Sequence, residues 1–389
     1  MITNGLAYLA VLFLTGGLIA WIEGQGKFRL FKILPGIVIL YFLIMLFSTL
    51  GLWHKTDSIN ATYKAVKDNL LPMMIFLLLL KGDIRQIAAL GPKLIFTFLL
   101  ASTSIILGFV LTFLALKAWL PEGAWMTFAP LAGSWLGGSG NMAAVQGALS
   151  IPDAQMTNAL LMDSIDYALW VMLLLACVPF AARFNRWSGG NTRLIDEIGA
   201  KLEADSEEKA RPINTGALLL LIGLGLSTSA ASQYLGGFLP TTDFLSHKTW
   251  AILIATVFGV IAAMTPIARV PGSGELGSVL LYGIVALIAS RANFGELTQA
   301  PLFILAGFMI LAFHGLIMIV AAKLFRLDLF SLGVASLANV GGVASAPILA
   351  AAYSRALIPV GILMALLGYI LGTGGGLVVG KILLVLSGG

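Results

Sequence analysis

Residues Leu131–Leu149 read LAGSWLGGSGNMAAVQGAL: five glycines, two serines and an asparagine inside an apolar run of membrane length. Facing lipid, such a stretch is untenable, because every backbone N–H and C=O in hydrocarbon must be satisfied within the protein. Buried in protein, or lining a wet cavity, it is permitted. In secondary carriers, helices interrupted near the bilayer midplane turn their half-helix ends toward solute and ions. A second interruption, SLANVGGVAS at Ser336–Ser345, stands at the matching place in the other half of the chain and is closed by Pro347. Proline suits the first turn of a half-helix, where its missing N–H costs nothing. With Gly341-Gly342 set on Gly137-Gly138, Asn141 falls opposite Ser345 and Asn339 opposite Trp135. The candidate solute-binding set is therefore Ser134, Gly137, Gly138, Ser139, Asn141, Ser336, Asn339, Gly341, Gly342 and Ser345. The competing reading of the glycines is close helix packing, and Gly133 with Gly137 has that spacing.

Composition sets the class. Hydrophobic residues make up 59% of the 389 and charged residues only 11%, where a soluble domain carries about 25% charged. This apolar content predicts an all-α, polytopic membrane protein of the cell (inner) membrane. The net charge of +5 is spread along the chain, which argues against a nucleic-acid partner. A lone Cys177 excludes an internal disulfide, and His54, His247 and His314 lie too far apart to suggest a metal site. No cofactor is expected beyond a coupling ion. The first apolar run has no basic segment ahead of it and reads as a membrane helix, not a cleaved signal.

A helix needs about 20 apolar residues to span a bilayer. Suitable runs lie near 5–22, 28–52, 64–82, 93–118, 123–149 and 153–182, then near 213–236, 248–268, 273–290, 299–325, 328–351 and 355–386. These predict about twelve helices in two groups of six. The organisation is a first transmembrane repeat over 1–183, a charged cytoplasmic linker over 184–212 and a second repeat over 213–389. Between Arg183 and Arg211 six basic residues meet six acidic ones, and Thr192–Ala204 has the pattern of an amphipathic surface helix.

The halves correspond in order as well as number. LGPKLIFTFLL from Leu90 matches QAPLFILAGFM from Gln299, the Gly-Gly breaks follow, and Tyr167 and Tyr369 come after them. Charge gives a conflict. Placing Lys27, Arg29, Lys32, Lys81, Arg85 and Lys93 inside, with six full spans, puts the linker on the opposite side, yet Arg269, Lys323 and Arg326 go inside with the linker. An inverted repeat with one miscounted or re-entrant element produces that conflict; two parallel repeats are the alternative.

The helix after the first break reads LMDSIDYALW. Asp163 and Asp166 share a face, with Tyr167 one turn from Asp163. A carboxylate at membrane depth is costly and marks function, so these three form the candidate ion-coupling set. His314 reads as a relay or an interhelical hydrogen-bonder, Glu275 as a helix-start acid, Asp83 as a loop partner of Arg85, and Cys177 as packing.

GSWLGGSGNMAAV, DSIDYALW and SLANVGGVASAPILAAAY together resemble the YjcL-like family of integral membrane proteins over nearly the whole chain. Its wider relatives look like the bile acid/sodium symporters and other carriers with crossed broken helices. The resemblance implies inverted repeats, a panel domain, a core domain with a crossed broken helix from each repeat, and ligands among Ser134, Ser139, Asn141, Ser336, Asn339 and Ser345. The glutamate or glutamine pair that the bile-acid carriers place near the crossing is missing here, so their sodium geometry does not transfer.

Together these features predict a Na⁺- or H⁺-coupled secondary transporter of a small organic solute, working by alternating access, with half-helix N-termini favouring an anion. Asn141, Asp166 and Asn339 are the candidate Na⁺ set. Its partners are the solute, the lipid bilayer and, through the first two helices, a second copy in a homodimer. The alternatives are a channel or passive pore, which needs a continuous polar path, and an integral membrane enzyme, for which no catalytic motif is present.

Overall fold

Apolar runs and polar caps cut this chain into helices. The first half forms α1 (Gly5–Gly24), α2 (Gly36–Thr49), α3 (Asp57–Leu79), the short α4 (Ile84–Ala88), α5 (Gly91–Leu116), α6 (Trp125–Gly137), α7 (Ser139–Ala148), α8 (Gln155–Cys177) and α9 (Ala181–Ser188). The second half forms α10 (Thr215–Gly236), α11 (His247–Ala263), α12 (Ser273–Ala289), α13 (Ala300–Phe325), α14 (Leu329–Val340), α15 (Gly342–Tyr353) and α16 (Ile358–Ser387). The structure is a computed structural model describing residues 1–28, 31, 35–82, 84–191, 212–242, 245–292, 294, 300–354 and 357–388. Asp83, the Thr192–Ala204 segment and most of the linker lie outside the described residues. Helix starts are set by side chains that accept orphan N–H groups: Asn4, Thr56, Asn214 and Asp328, and a Ser246–Thr249 capping box. Among the described residues, six segments are long and apolar enough to cross a membrane: Gly5–Gly24, Gly91–Leu116, Gln155–Ser188, Thr215–Gly236, Ala300–Phe325 and Ile358–Ser387.

Polar contacts sort the helix ends. At the end where α9 leads to the linker, Lys93 at the start of α5 donates to Asp328 Oδ2 (2.7 Å) and to Asn191 O (2.7 Å). Lys323 at the end of α13 donates to Trp187 O, and Arg85 to Met264 O after α11. At the far end, Lys117 after α5 reaches Leu386 O in α16, Thr249 of α11 reaches Ala148 O of α7, and Trp53 reaches Ser290 O after α12.

The two glycine-rich runs are hairpins. Thr127 at the start of α6 donates to Gln155 Oε1 (3.0 Å), so α6 begins beside the residue that follows α7. Phe330 at the start of α14 stacks edge-on against Tyr353 at the end of α15 at 5.3 Å. A Cβ on Gly133 would come within 2.8 Å of Val145 Cγ2, and one on Gly333 within 3.1 Å of Leu349 Cδ2. The expectation of crossed broken helices is thereby corrected. Each interrupted run folds back on its own first half, because the backbone at Gly138 (φ 105°) and Gly342 (φ 60°) takes the left-handed turn that glycine tolerates and L side chains resist. The runs 123–149 and 328–351 are therefore not single crossings. Helices of 10 to 13 residues reach about 15–20 Å at 1.5 Å per residue, roughly half the bilayer and its headgroups. Hairpin α6–α7 starts from the far end and hairpin α14–α15 from the linker end.

Helices from both halves mix into two bodies. One contains α1, α2, α3, α10, α11 and α12, with α3 packed on α10, α11 and α12. The other contains α5, α8, α13, α16 and both hairpins, with α6 on α16 and α5 on α13. The described helices of 1–183 and of 213–389 thus do not form separate bodies. The α6–α16 contact runs through small residues. A Cβ on Gly372 would fall 2.7 Å from Gly137 Cα, and one on Gly376 2.9 Å from Gly133. The packing reading of Gly133 and Gly137 is therefore realised, and the same residues also belong to the hairpin. Gly372→Val should displace α6 and lower stability by about 1–3 kcal/mol or more, read as the midpoint shift in denaturing detergent. Gly374→Ala, which meets nothing within 4 Å, should leave the midpoint unchanged.

Candidate functional site

The hairpin interiors are enclosed: Thr127 to Gly137 and Phe330 to Val340 are buried throughout. That resolves how polar, glycine-rich backbone sits at this depth. The tips touch. A Cβ on Gly342 would lie 3.8 Å from Gly137 O and 3.9 Å from Gly138 Cα. The Tyr369 ring of α16 sits against Gly138, and the Tyr167 ring of α8 sits against Gly341 beside Ser345. The Tyr369 ring also lies against Gly342, so it touches both tips, while Tyr167 touches the second.

Helix α8 touches both hairpins with one stripe. Asp163 Oδ1 accepts from Ser134 Oγ (2.9 Å) and Trp135 Nε1 (3.0 Å) on the first hairpin. Trp170 Nε1 donates to Ser336 Oγ (2.8 Å) on the second. Asp166 lies between them, fully buried, with its carboxylate facing Gly307 of α13. Neither Asp166 oxygen has a hydrogen-bond partner. A buried carboxyl group without donors is among the costliest arrangements in a membrane interior. Glycine at 307 is what leaves room for it.

The remaining predicted residues have separate partners. Asn141 Oδ1 accepts from Thr373 Oγ1 (2.6 Å), and its side chain packs against Gly137 and Gly372. Asn339 Oδ1 accepts from Ser102 Oγ (2.8 Å), and its Nδ2 donates to Ala335 O (2.9 Å). Asn141 and Asn339 thus each have a hydrogen-bond partner on a different helix, and among the described residues no group of three His, Cys, Asp or Glu could hold a metal ion. His314 is an interhelical hydrogen-bonder: its nitrogens face Ser104 Oγ (2.7 Å) and Ser336 Oγ (2.8 Å). Ser139 and Asp163 border a small cavity with Tyr41 and Met156; Gly140 and Asn141 border another with Leu78 and Tyr369. Glu275 sits in the first turn of α12, as its sequence position suggests.

A cavity of about 440 Å³ opens at the far end between α3, the base of the first hairpin, α10 and α11. Its walls include Lys64, Lys67, Gln146, Asp153, His247 and Lys248. Asp153 binds the hairpin base to α3: Oδ2 accepts from Tyr63 Oη (2.6 Å), and Oδ1 from Lys67 Nζ (2.9 Å) and Gln146 Nε2 (2.8 Å). Sequence reading missed these residues, as it missed Thr373, Ser102 and Trp170. One signal was available, in that Lys64, Lys67 and Asp68 crowd the start of an apolar run. Thr373, Ser102 and Trp170 are single polar residues whose partners lie more than 100 positions away.

Comparison with known proteins agrees with a membrane chain. The protein described as "Uncharacterized membrane protein YjcL" of Bacillus subtilis (strain 168) is 26% identical over 360 residues, spanning 90% of this chain and 89% of its own. A family model matches residues 10–386, nearly the full length. The chain therefore belongs to the family described as Protein of unknown function (DUF819).

Proposed function

We propose that this protein is an ion-coupled secondary transporter of a small organic solute, working by alternating access across the cell membrane. The observation that carries the reading is the meeting of two glycine-tipped hairpins that start from opposite ends of the molecule. Such a pair forms a barrier in the middle of the bilayer that either side can open, with the backbone of both tips available to a solute.

Several features support it. Counting each hairpin as a return, each half traverses the molecule an odd number of times, so the second half is inverted relative to the first. The pairing of α5 with α13, of the hairpins, and of Tyr167 with Tyr369 follows that relation. The count also removes the charge conflict: Lys27, Lys81, Arg85, Lys93, Arg269, Lys323 and Arg326 then share the linker end, which becomes cytoplasmic. The seam between the two bodies is lined by small residues against aliphatic ones. Gly140 meets Leu78 and Gly147 meets Leu71, a surface on which one body can shift past the other. Asp166, with Asp163 and Tyr167 beside it, is the coupling group. The separate partners of Asn141 and Asn339 favour a proton at Asp166 over a Na⁺ shell.

In proteoliposomes carrying the full chain, with a panel of labelled small organic acids, an imposed proton gradient should drive uptake. Asp166→Asn should reduce that uptake at least about tenfold, a loss of roughly 1.4 kcal/mol or more. Unchanged gradient dependence in this variant rules out its coupling role. Gly307→Ala, which pushes on the same carboxyl group, should shift the pH midpoint of uptake while Gly374→Ala leaves it alone. Single cysteines introduced at Lys81 and Arg269 in a Cys177→Ala background should react only with reagent added from the cytoplasmic side, and those at Lys55 and Lys248 only from outside; labelling of all four from one side defeats the inverted arrangement.

A further inference from the structure

We infer that the far-end cavity is a recruitment site for small organic anions of the carboxylate class. Three lysines, Lys64 and Lys67 from α3 and Lys248 from α11, line it beside His247. Two carboxylates oppose them: Asp153 is paired with Lys67 and Asp68 with Lys248, each at 2.9 Å. Among the described residues Lys64 has no ion pair, so the cavity keeps a net cationic surplus. Low-dielectric walls of Leu71, Pro72, Ala251 and Ile252 concentrate that field. The volume, about 440 Å³, lies in the range of small-molecule sites, roughly 300–1,000 Å³.

Position adds to charge. The lysines belong to the body of α3 and α11, while Gln146, Ser150 and Asp153 belong to the base of the first hairpin. An anion held here therefore bridges the seam that alternating access must open. Ser150 takes a left-handed backbone (φ 50°) at this wall, a conformation that a non-glycine residue keeps only when its surroundings enforce it. Gln146 is nearly fully buried, and the two acceptors on its Nε2, Ile151 O and Asp153 Oδ1, fix the amide so that Oε1 has no donor in this state. The hairpin base is thus held with one polar group unsatisfied, beside the cavity a solute would fill. Charge-assisted hydrogen bonds from lysines to a carboxylate are the strong interactions available there.

This inference rests on the carrier reading for its biological sense, but its test does not. The full chain in lipid nanodiscs is titrated with acetate, succinate and citrate, with putrescine as the cationic control, and the unfolding midpoint is followed, since a ligand of the native state alone raises it. At least one carboxylate should give a saturable rise that weakens with added salt, and putrescine none. Lys64→Gln with Lys248→Gln, both on exposed positions, should weaken the apparent affinity about tenfold or more while leaving the ligand-free midpoint in place. A carboxylate response unchanged in the double variant, a response to putrescine alone, or none to any carboxylate overturns the site. Loss of binding in the double variant with gradient-driven uptake intact overturns the recruitment role and leaves the carrier reading standing. Carboxylate binding without any uptake by the reconstituted chain sinks the carrier reading and leaves the site.

Discussion

Gly138 and Gly342 turn the chain back on itself within apolar runs of membrane length, where an open backbone must find its partners inside the protein or a cavity. Everything around them follows from the need to enclose those turns. The tips close on each other, Tyr369 packs on Gly138 and Gly342 and Tyr167 on Gly341, and both outgoing half-helices are buried along nearly their whole length. Side chains at the tips would hold the backbones apart, so the neighbours are themselves small: Gly368, Gly372, Gly375 and Gly376 on α16 face the first hairpin. The polar content of the runs is thus a consequence of the turn and of its burial, and the functional reading builds on that enclosure.

Each hairpin is also held at its base by a carboxylate and a lysine, but by different bodies. Asp328 caps α14 through Ser331 and pairs with Lys93 of α5, which belongs to the hairpin's own body. Asp153 pairs with Lys67 of α3, across the seam. The second hairpin is tied to its surroundings, while the first is tied to what it would have to move against. The acid-bearing stripe of α8 adds a second asymmetry. It faces the hairpins with Asp163 and Trp170 and leaves Asp166 without a donor between them, whereas α16 offers glycines, Tyr369 and Thr373. Helix α8 thus brings the carboxylates to the hairpins, and α16 brings the small residues that pack on them.

Much of this was readable in the chain before any coordinates. Composition required a membrane protein, the apolar runs fell close to the observed helices, and the matched Gly-Gly breaks marked the places where helices stop. Asp166 stood out because a carboxylate in an apolar helix is too costly to sit there idle. The error was in direction: a break in a helical run reads the same whether the chain continues through it or returns. What separates the cases is contact between residues such as Phe330 and Tyr353 or Thr127 and Gln155, and periodicity contains no trace of it.

The sequence alone determined class, helix positions, the two breaks and the acid-bearing face, since these depend on local composition, backbone freedom and the cost of charge in hydrocarbon. Tertiary structure decided that the breaks are hairpin tips meeting from opposite ends, that Asn141 and Asn339 bond to Thr373 and Ser102 and not to each other, and that lysines of α3 and α11 face the base of the first hairpin across one cavity. Those outcomes depend on which distant segments share space. Where all the helices are apolar, shape and the few polar groups that must find partners settle the choice, and both are properties of the assembled fold.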